Sequence, residues 1–472
     1  MMDSQIPDTV VLAVDAVTSG AISSRELTEE CIKRAERLQP KLNCFISLQA
    51  EKALETADKL DAARIAGHAT GALHGVPMAH KDMYYRVGEI STCGSKIRKD
   101  FRPDHTATVI DRLEDAGALH LGGLNMAEFA FGPTGHNAHW GDCRNPWNTD
   151  HITGGSSSGT GAAVAGRLAY AGLGSDTGGS IRLPAAICGL AGIKPTQTRV
   201  SRYGLMGLSF SLDNVGPLAR TVRDCARILG VIAGKDQNDA TTSNQPVEDY
   251  ELYTINPEIK GLKIGVPRNY YYDYVSEEVR ELLNTSLKEY EQLGAHIVEV
   301  NVPDHEKLTN LAHVVMGSEA ATLHGAWLKS RSHDYSDQVL ARIQPGLSFP
   351  ATRYLHALQI RPEITKRFVE NVFGACDILH APVLSFPTPT ISETDIKAAP
   401  GFEELLGQMS YCTRPINYLG LPSLAVPAGF TNNGLPASFQ LVGRPFSEGT
   451  LFQFGAAYQS VTDWHEQHPR LD

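Results

Sequence analysis

Three stretches between residues 154 and 196 combine hydroxyl side chains with runs of glycine. They are Gly154-Gly155-Ser156-Ser157-Ser158-Gly159, Gly174-Ser175-Asp176-Thr177-Gly178-Gly179-Ser180-Ile181-Arg182, and Gly189-Leu190-Ala191-Gly192-Ile193-Lys194-Pro195-Thr196. Glycine at that density permits dihedrals and close approaches that a Cβ forbids. A loop of successive amides beside a hydroxyl can stabilise an oxyanion. The chemistry implied is attack by a serine, and the open question is what activates it, because a serine hydroxyl is a weak nucleophile until a base takes its proton.

Several templates fail on inspection. Gly155–Gly159 formally matches G-x-S-x-G, but that elbow needs a buried strand before it, and Asn148-Thr149-Asp150-His151-Ile152-Thr153 is not one. No serine has a lysine three positions later, and H-E-x-x-H, G-x-x-x-x-G-K-[ST] and a complete G-x-G-x-x-G are absent. His136 and His139 lie three apart, and His74 and His80 precede Lys81; without an Asp/Glu/Cys set at ligand spacing they read as solvated or structural, so no metal is expected. A lysine-activated serine remains. The lysine must be neutral, and lowering its pKa by roughly three from 10.4 costs about 4 kcal/mol, which requires burial. Lys81 fits, since it ends the apolar segment Val76–His80; the bland alternative is a surface lysine with a snorkelling stem.

The elements that would hold these residues read as follows. Residues 24–38 and 50–66 have helical apolar spacing, with Ser24 and Thr28 as a loose cap signal. Val76–His80 reads as a short buried strand delivering Lys81 and Asp82, followed by a helix at about 106–116 and a strand at about 118–122. Residues 133–153 are turn-rich and read as a long ordered loop. The Ala/Gly-rich run Gly161–Gly172 reads as a helix packed on every side by small residues. Polar residues 234–258 form a surface connection and the best boundary within the chain. Beyond it, strands KIGVP, HIVEVNV, DILHAPV, LPSLAVPAG and FQLVG alternate with helices near 277–293, 306–329 and 449–461, which suggests a layered α/β protein. No internal repeat or low-complexity tract is present.

Composition bounds the partners. The chain has 472 residues, 42% hydrophobic and 20% charged, with a net charge of -11, which argues against sequence-independent nucleic-acid binding. The acidic start MMDSQIPDTVVLAVDAV lacks a secretory n-region, and no stretch approaches the roughly 20 apolar residues of a membrane span. The eight cysteines are scattered without a CxxC pair, so reduced thiols and a cytoplasmic location are expected.

On these residues the chain closely resembles the amidase signature family. Gly154–Ser157, Gly174–Ala185 and Gly192–Thr196 match its Gly-Gly-Ser-Ser loop, its Gly-[Ser/Thr]-Asp-x-Gly-Gly-Ser-[Ile/Val]-Arg-x-Pro-Ala segment and its Gly-x-Lys-Pro-Thr segment. Gly75-Val76-Pro77-Met78-Ala79-His80-Lys81-Asp82 matches the lysine context. The separations of 75 residues from Lys81 to Ser156 and 24 from Ser156 to Ser180 look like the family's own. The tail Asn417–Pro422 and Gln440–Pro445 is family-like as well. Ser158, where the family usually has glycine, and Gly161, often alanine, are departures that leave the relay untouched.

The resemblance implies a single large layered α/β/α domain with a mixed central sheet over 1–472: N-terminal helices 1–70, a core of about 71–230, and a C-terminal part of about 259–472. It implies Ser180 as nucleophile, Ser156 in a cis peptide as proton relay, and Lys81 as terminal base. The amides of Thr177, Gly178, Gly179 and Ser180 would form the oxyanion hole, with Ala130 lining the acyl site through its backbone. Ser157, Asp176 and Arg182 would support the loop; gripping a substrate carboxylate is the rival role for Arg182. No diffusible cofactor is implied.

Within the family, Val200-Ser201-Arg202-Tyr203-Gly204-Leu205 and Ser211-Leu212-Asp213 look similar to the A subunit of tRNA-dependent amidotransferases. Residues 317–345 lack those subunits' Arg-x-Asp-Gly-x-Arg motif. The expectation is therefore a stand-alone amidase acting on a small linear amide, as monomer or homodimer, without nucleic acid or membrane; the glutamine-hydrolysing A subunit is the alternative. The acyl pocket is expected from 125–140, 310–350 and 395–412, with Phe129, Phe131, Trp140 and Met409 as apolar candidates.

Overall fold

The computed structural model describes residues 6–303, 305–395 and 401–471. The first five residues of the N-terminal reading and 396–400 of the third pocket segment lie outside them. Its strands are β1 (Phe45–Leu48), β2 (Pro77–Lys81), β3 (Leu119–Leu124), β4 (Ala171–Asp176), β5 (Ala191–Lys194), β6 (Asn214–Ala219), β7 (Lys263–Pro267), β8 (His296–Val300), β9 (Ile378–Pro382), β10 (Ser423–Phe430) and β11 (Pro436–Val442). They form one mixed sheet in the order β1-β3-β2-β4-β6-β5-β10-β11-β9-β7-β8. Both sides of the polar connection feed it, since β5 pairs antiparallel with β10.

β2 lies between β3 and β4 and runs parallel to both. All five of its residues are buried, which is why it reads as an apolar run rather than an alternation. The parallel pairing brings the carboxyl ends of β2 and β4 to one edge, the place where open α/β sheets build their sites. Gly172 makes the approach possible: a Cβ there would sit 2.2 Å from the Ala79 carbonyl oxygen.

The helices are α1 (Val10–Ser19), α2 (Ser24–Leu42), α3 (Ala50–Ile65), α4 (Thr108–Asp115), α5 (Ser158–Ala165), α6 (Arg182–Cys188) and α7 (Val222–Ile232), then α8 (Glu277–Gln292), α9 (His305–Ser330), α10 (Asp337–Ile343), α11 (Ala351–Phe373), α12 (Phe402–Met409), α13 (Arg414–Leu419) and α14 (Glu448–Gln459). No helix among the described residues is long and apolar enough to cross a membrane.

Three local readings are corrected. The cap of α2 is a Ser23/Glu26 capping box, while the Thr28 hydroxyl donates back to Ser24 O at 2.8 Å. The run Gly161–Gly172 is not one helix: α5 stops at Ala165, Arg167 turns the chain at φ 61°, and β4 begins at Ala171. Alanine and glycine carry no apolar stripe, so neither period could be read there. The connection 234–258 contains a short 3-10 turn at Tyr250–Thr254 whose Tyr250 is buried between α7 and α14.

Candidate active site

Lys81 ends β2 and is 1% exposed. Its Nζ lies 2.6 Å from Ser156 Oγ and 2.8 Å from Ser175 Oγ. Ser156 follows a cis Gly155–Ser156 peptide bond, and Ser175 is the penultimate residue of β4. Burial drives Lys81 from its ordinary 10.5 down to about 7, against weaker opposing pulls from Cys93, Asp213 and Asp176. A buried amine of that kind is about half neutral at neutral pH, which is what a base requires.

The loop after β4 is shaped by Asp176. Its Oδ1 accepts from Gly179 N at 2.8 Å and its Oδ2 from Ile181 N at 3.1 Å, curling Thr177–Ser180 back on itself. Gly179 sits at φ 132°, and a Cβ there would fall 2.3 Å from Thr413 Oγ1. Ser157 Oγ donates to Ser180 O at 2.5 Å, and Thr413 Oγ1 donates to Gly178 O at 2.6 Å. Among the described residues no hydrogen bond joins the Ser156 and Ser180 hydroxyls; contacts of this kind tighten when a substrate is in place. Gly179 N is occupied by Asp176, whereas Thr177, Gly178 and Ser180 line the pocket.

Arg182 is fully buried. Its guanidinium reaches Asp176 through Nε and Nη2 at 3.1 Å each, Gln440 Oε1 at 2.9 Å, Thr413 O at 3.0 Å and Asn417 Oδ1 at 2.6 Å. Burial is the largest single influence and would raise the Asp176 carboxyl, but the charge and hydrogen bonds of Arg182, the Lys194 charge and the Asn417 hydrogen bond together outweigh it and hold the group well below the usual carboxylate range. Arg182 is fully buried and lies outside the pocket wall, which argues against a grip on substrate.

Ser180, Thr177 and Gly178 open onto a pocket of about 500 Å³. The three expected segments all contribute: Ala130–Pro133, then His313, Met316 and Arg342, then Phe402, Leu406 and Ser410. Ala130 follows Phe129, and both adopt the left-handed region at φ 60° and 50°. Two such non-glycine residues cost roughly 1–3 kcal/mol each, and here they turn the backbone at the pocket wall. Of the apolar candidates only Phe131 lines the pocket. Phe129 is stacked among His324, Trp327 and Tyr335, Met409 is core, and Trp140 is 37% exposed. The histidines take other partners: His136 Nδ1 lies 3.1 Å from Asp142 and His139 Nε2 lies 3.0 Å from Glu128.

Sequence reasoning missed Ser175, Asp213, Thr413, Asn417 and Gln440 as parts of the site. Asp213 accepts from the Thr177 hydroxyl and from Leu208 N at 2.8 Å. Asn417 Nδ2 donates to Asp176 Oδ1 at 2.8 Å. Ser175, Asn417 and Gln440 stood inside the motif segments, so the signal existed; what was lacking was the sheet order that brings 413–417 and 440 beside 176–182.

The family model for amidases matches residues 26–452. The chain belongs to the amidase signature family. The A subunit of glutamyl-tRNA(Gln) amidotransferase from Halorhodospira halophila is 40% identical, over 96% of this chain and 97% of its own. The solved A subunit of the same amidotransferase from Thermotoga maritima superposes with a TM-score of 0.77 at 31% identity, covering 93% of this chain and 92% of its own. A structure from a vestigial protein complex that bears on the origins of an s-triazine catabolic enzyme superposes with a TM-score of 0.89 at 33% identity, covering 96% and 98%. The fold is the mixed α/β sheet that the resemblance implied, and family members act on carbon–nitrogen bonds.

Two expectations are overturned by these relatives. The stand-alone amidase rested on one missing short motif, whereas full-length identity to amidotransferase A subunits points to the alternative. The expectation of no nucleic acid and no partner beyond a second copy falls with it. Net charge reports only on this chain's own surface, and one member of a complex can serve a tRNA-dependent reaction through contacts made by its partners.

Proposed function

We propose that this chain is the glutamine-hydrolysing A subunit of a tRNA-dependent amidotransferase. The observation that carries the reading is the 40% identity extending over nearly the full length of both chains, beyond the signature core. In this reading Ser180 Oγ attacks the side-chain carbonyl carbon of glutamine. Its proton passes to Ser156 and from Ser156 to Lys81, a route supported by the 2.6 Å contact and by the lowered proton affinity of Lys81. Charge developing on the carbonyl oxygen meets the amides of Thr177, Gly178 and Ser180; one such donor is worth about 3–4 kcal/mol in comparable sites. As the C–N bond breaks, the proton returns from Lys81 through Ser156 to the leaving nitrogen, and ammonia departs. Water, deprotonated by the same relay, then hydrolyses the glutamyl ester on Ser180 and releases glutamate.

Ser157, Asp176 and Arg182 keep the loop in shape, Gly179 supplies its turn, and Ala130 borders the acyl group. The ammonia goes to a partner protein that amidates the tRNA-bound glutamyl group in the cytoplasm, where the eight cysteines, all without disulfides, would stay reduced. The test is co-purification with the partner proteins and measurement of ammonia release from L-glutamine together with formation of glutaminyl-tRNA(Gln). Both are expected, and Ser180→Ala should abolish glutamine-driven amidation while added ammonium salt restores it. Failure of the complex to make glutaminyl-tRNA(Gln) from either donor overturns the reading.

A further inference from the structure

The pocket in front of Ser180 carries two arginines from different helices, Arg342 of α10 and Arg414 of α13. Each is half-buried and tied to the wall by a single hydrogen bond, Arg342 Nη1 to Phe131 O at 3.0 Å and Arg414 Nη2 to the Ser410 hydroxyl. Neither forms an ion pair with a described residue. Burial first, and the charge of Arg414 after it, push Arg342 down to about 10, so the two cations feel each other. The third titratable group of the wall, His313, is pushed down by burial and by Arg414 and Arg353, which favours its neutral form. Among the described residues that line the pocket there is no aspartate or glutamate. An arginine fork has five donors, and here most of them have no partner in the chain. Two uncompensated guanidiniums at the wall of a concave site call for an anion, and the planar fork matches a carboxylate.

We infer that Arg342 and Arg414 hold a carboxylate at the far end of the amide substrate, and that the pocket has no counter-charge for an ammonium group beside it. The inference rests on the reading of Ser180 as nucleophile, and it extends that reading from glutamine to carboxylate-ended amides as a class. Glutaramate, which is glutamine without its amino group, is then a substrate at least as good as glutamine. Pentanamide, which lacks the carboxylate as well, is a poor one.

The experiment measures ammonia release from L-glutamine, glutaramate and pentanamide by the chain in its complex, for the native protein and for Arg342→Gln and Arg414→Gln. Glutaramate should exceed pentanamide in kcat/KM by tenfold or more, and each substitution should pull that ratio down at least tenfold, mainly through KM. Arg342→Lys and Arg414→Lys, which keep the charge but lose the fork, should fall between and guard against misfolding of the glutamine variants. Calorimetry of glutaramate binding to the Ser180→Ala chain gives the same comparison without turnover. Equal use of glutaramate and pentanamide, a tenfold preference for glutamine over glutaramate, or glutaramate binding that ignores both arginines overturns the inference. Glutamine turnover that ignores the arginines overturns it and leaves the amidotransferase reading standing. Arginine-dependent glutaramate hydrolysis with glutamine inert supports the inference and removes glutamine as the donor.

Discussion

Replacing Lys81 by methionine should make the protein more stable at neutral pH while abolishing its activity. Lowering the lysine from 10.5 to about 7 corresponds to about 5 kcal/mol, at about 1.4 kcal/mol for each tenfold change in proton affinity. The folded state binds this proton more weakly than the unfolded chain, so the cost is present in full below pH 7. It fades as pH rises and is gone above 10.5, where the unfolded lysine is neutral too. Methionine fills a similar volume and has nothing to desolvate, but it forfeits the contacts to Ser156 and Ser175, worth about 1 kcal/mol each. The variant is therefore expected to gain about 2–3 kcal/mol at pH 7 and to lose about 2 kcal/mol near pH 10.5. Urea denaturation of both proteins at the two pH values reads the crossover, and ammonia release reads the lost activity. A variant destabilised equally at both pH values would show that Lys81 is not held near neutrality, and the proton relay would lose its base.

The hydrolytic rate of the native protein should rise with pH through about 7 and then level, because only the neutral form of Lys81 accepts a proton; a pH–kcat/KM profile flat from 5 to 9 contradicts this. Ser180→Ala should cut kcat by roughly four orders of magnitude or more while leaving the urea midpoint within error, measured by single-turnover ammonia release. Asp176→Asn leaves the buried Arg182 without its counter-charge and should cost about 3–5 kcal/mol by denaturation; a loss under about 1 kcal/mol would mean that Gln440 and Asn417 suffice alone. Gly172→Ala drives a methyl into the Ala79 carbonyl and should cost about 1–3 kcal/mol while displacing Lys81, read as lost activity at a lowered melting temperature.

Much of the candidate site was legible because its residues lie in contiguous motifs. Lys81 at the end of an apolar run, and serines within glycine-rich loops, name themselves by type and neighbour. The flanking helices were legible where apolar residues recur every three or four, as in α2 and α8. Legibility failed where that signal is missing. The small residues of α5 and β4 have no stripe, and α1, with its nearly continuous apolar face, was passed over as a helix. The pocket's charges could not be read either. Arg342 and Arg414 are 72 residues apart, and nothing in either stretch announces that the fold sets both before Ser180. The partner question was misjudged for a related reason: one short missing motif was weighed against similarity dispersed over the whole chain, which a single sequence does not display.

A lowered lysine pKa does not by itself mark the base, and this fold contains the control. Lys194, at the end of β5, is also fully buried and driven down to about 7, by burial first and then by the nearby Arg182 charge, with Asp176 and Glu448 opposing. Its Nζ donates to Pro195 O at 2.9 Å and is not part of the pocket wall. Proton affinity alone would rank the two lysines equally. What separates them is what each can take a proton from: Lys81 has two serine hydroxyls within 2.8 Å, one on the loop leading into α5 and one beside Asp176 at the end of β4. Lys194 meets only a carbonyl, which has no proton to give. In the proposed relay the loop that sets Ser156 against the end of β2 therefore does more than burial does, since it puts a hydroxyl within reach of one of the two neutral amines that the interior produces.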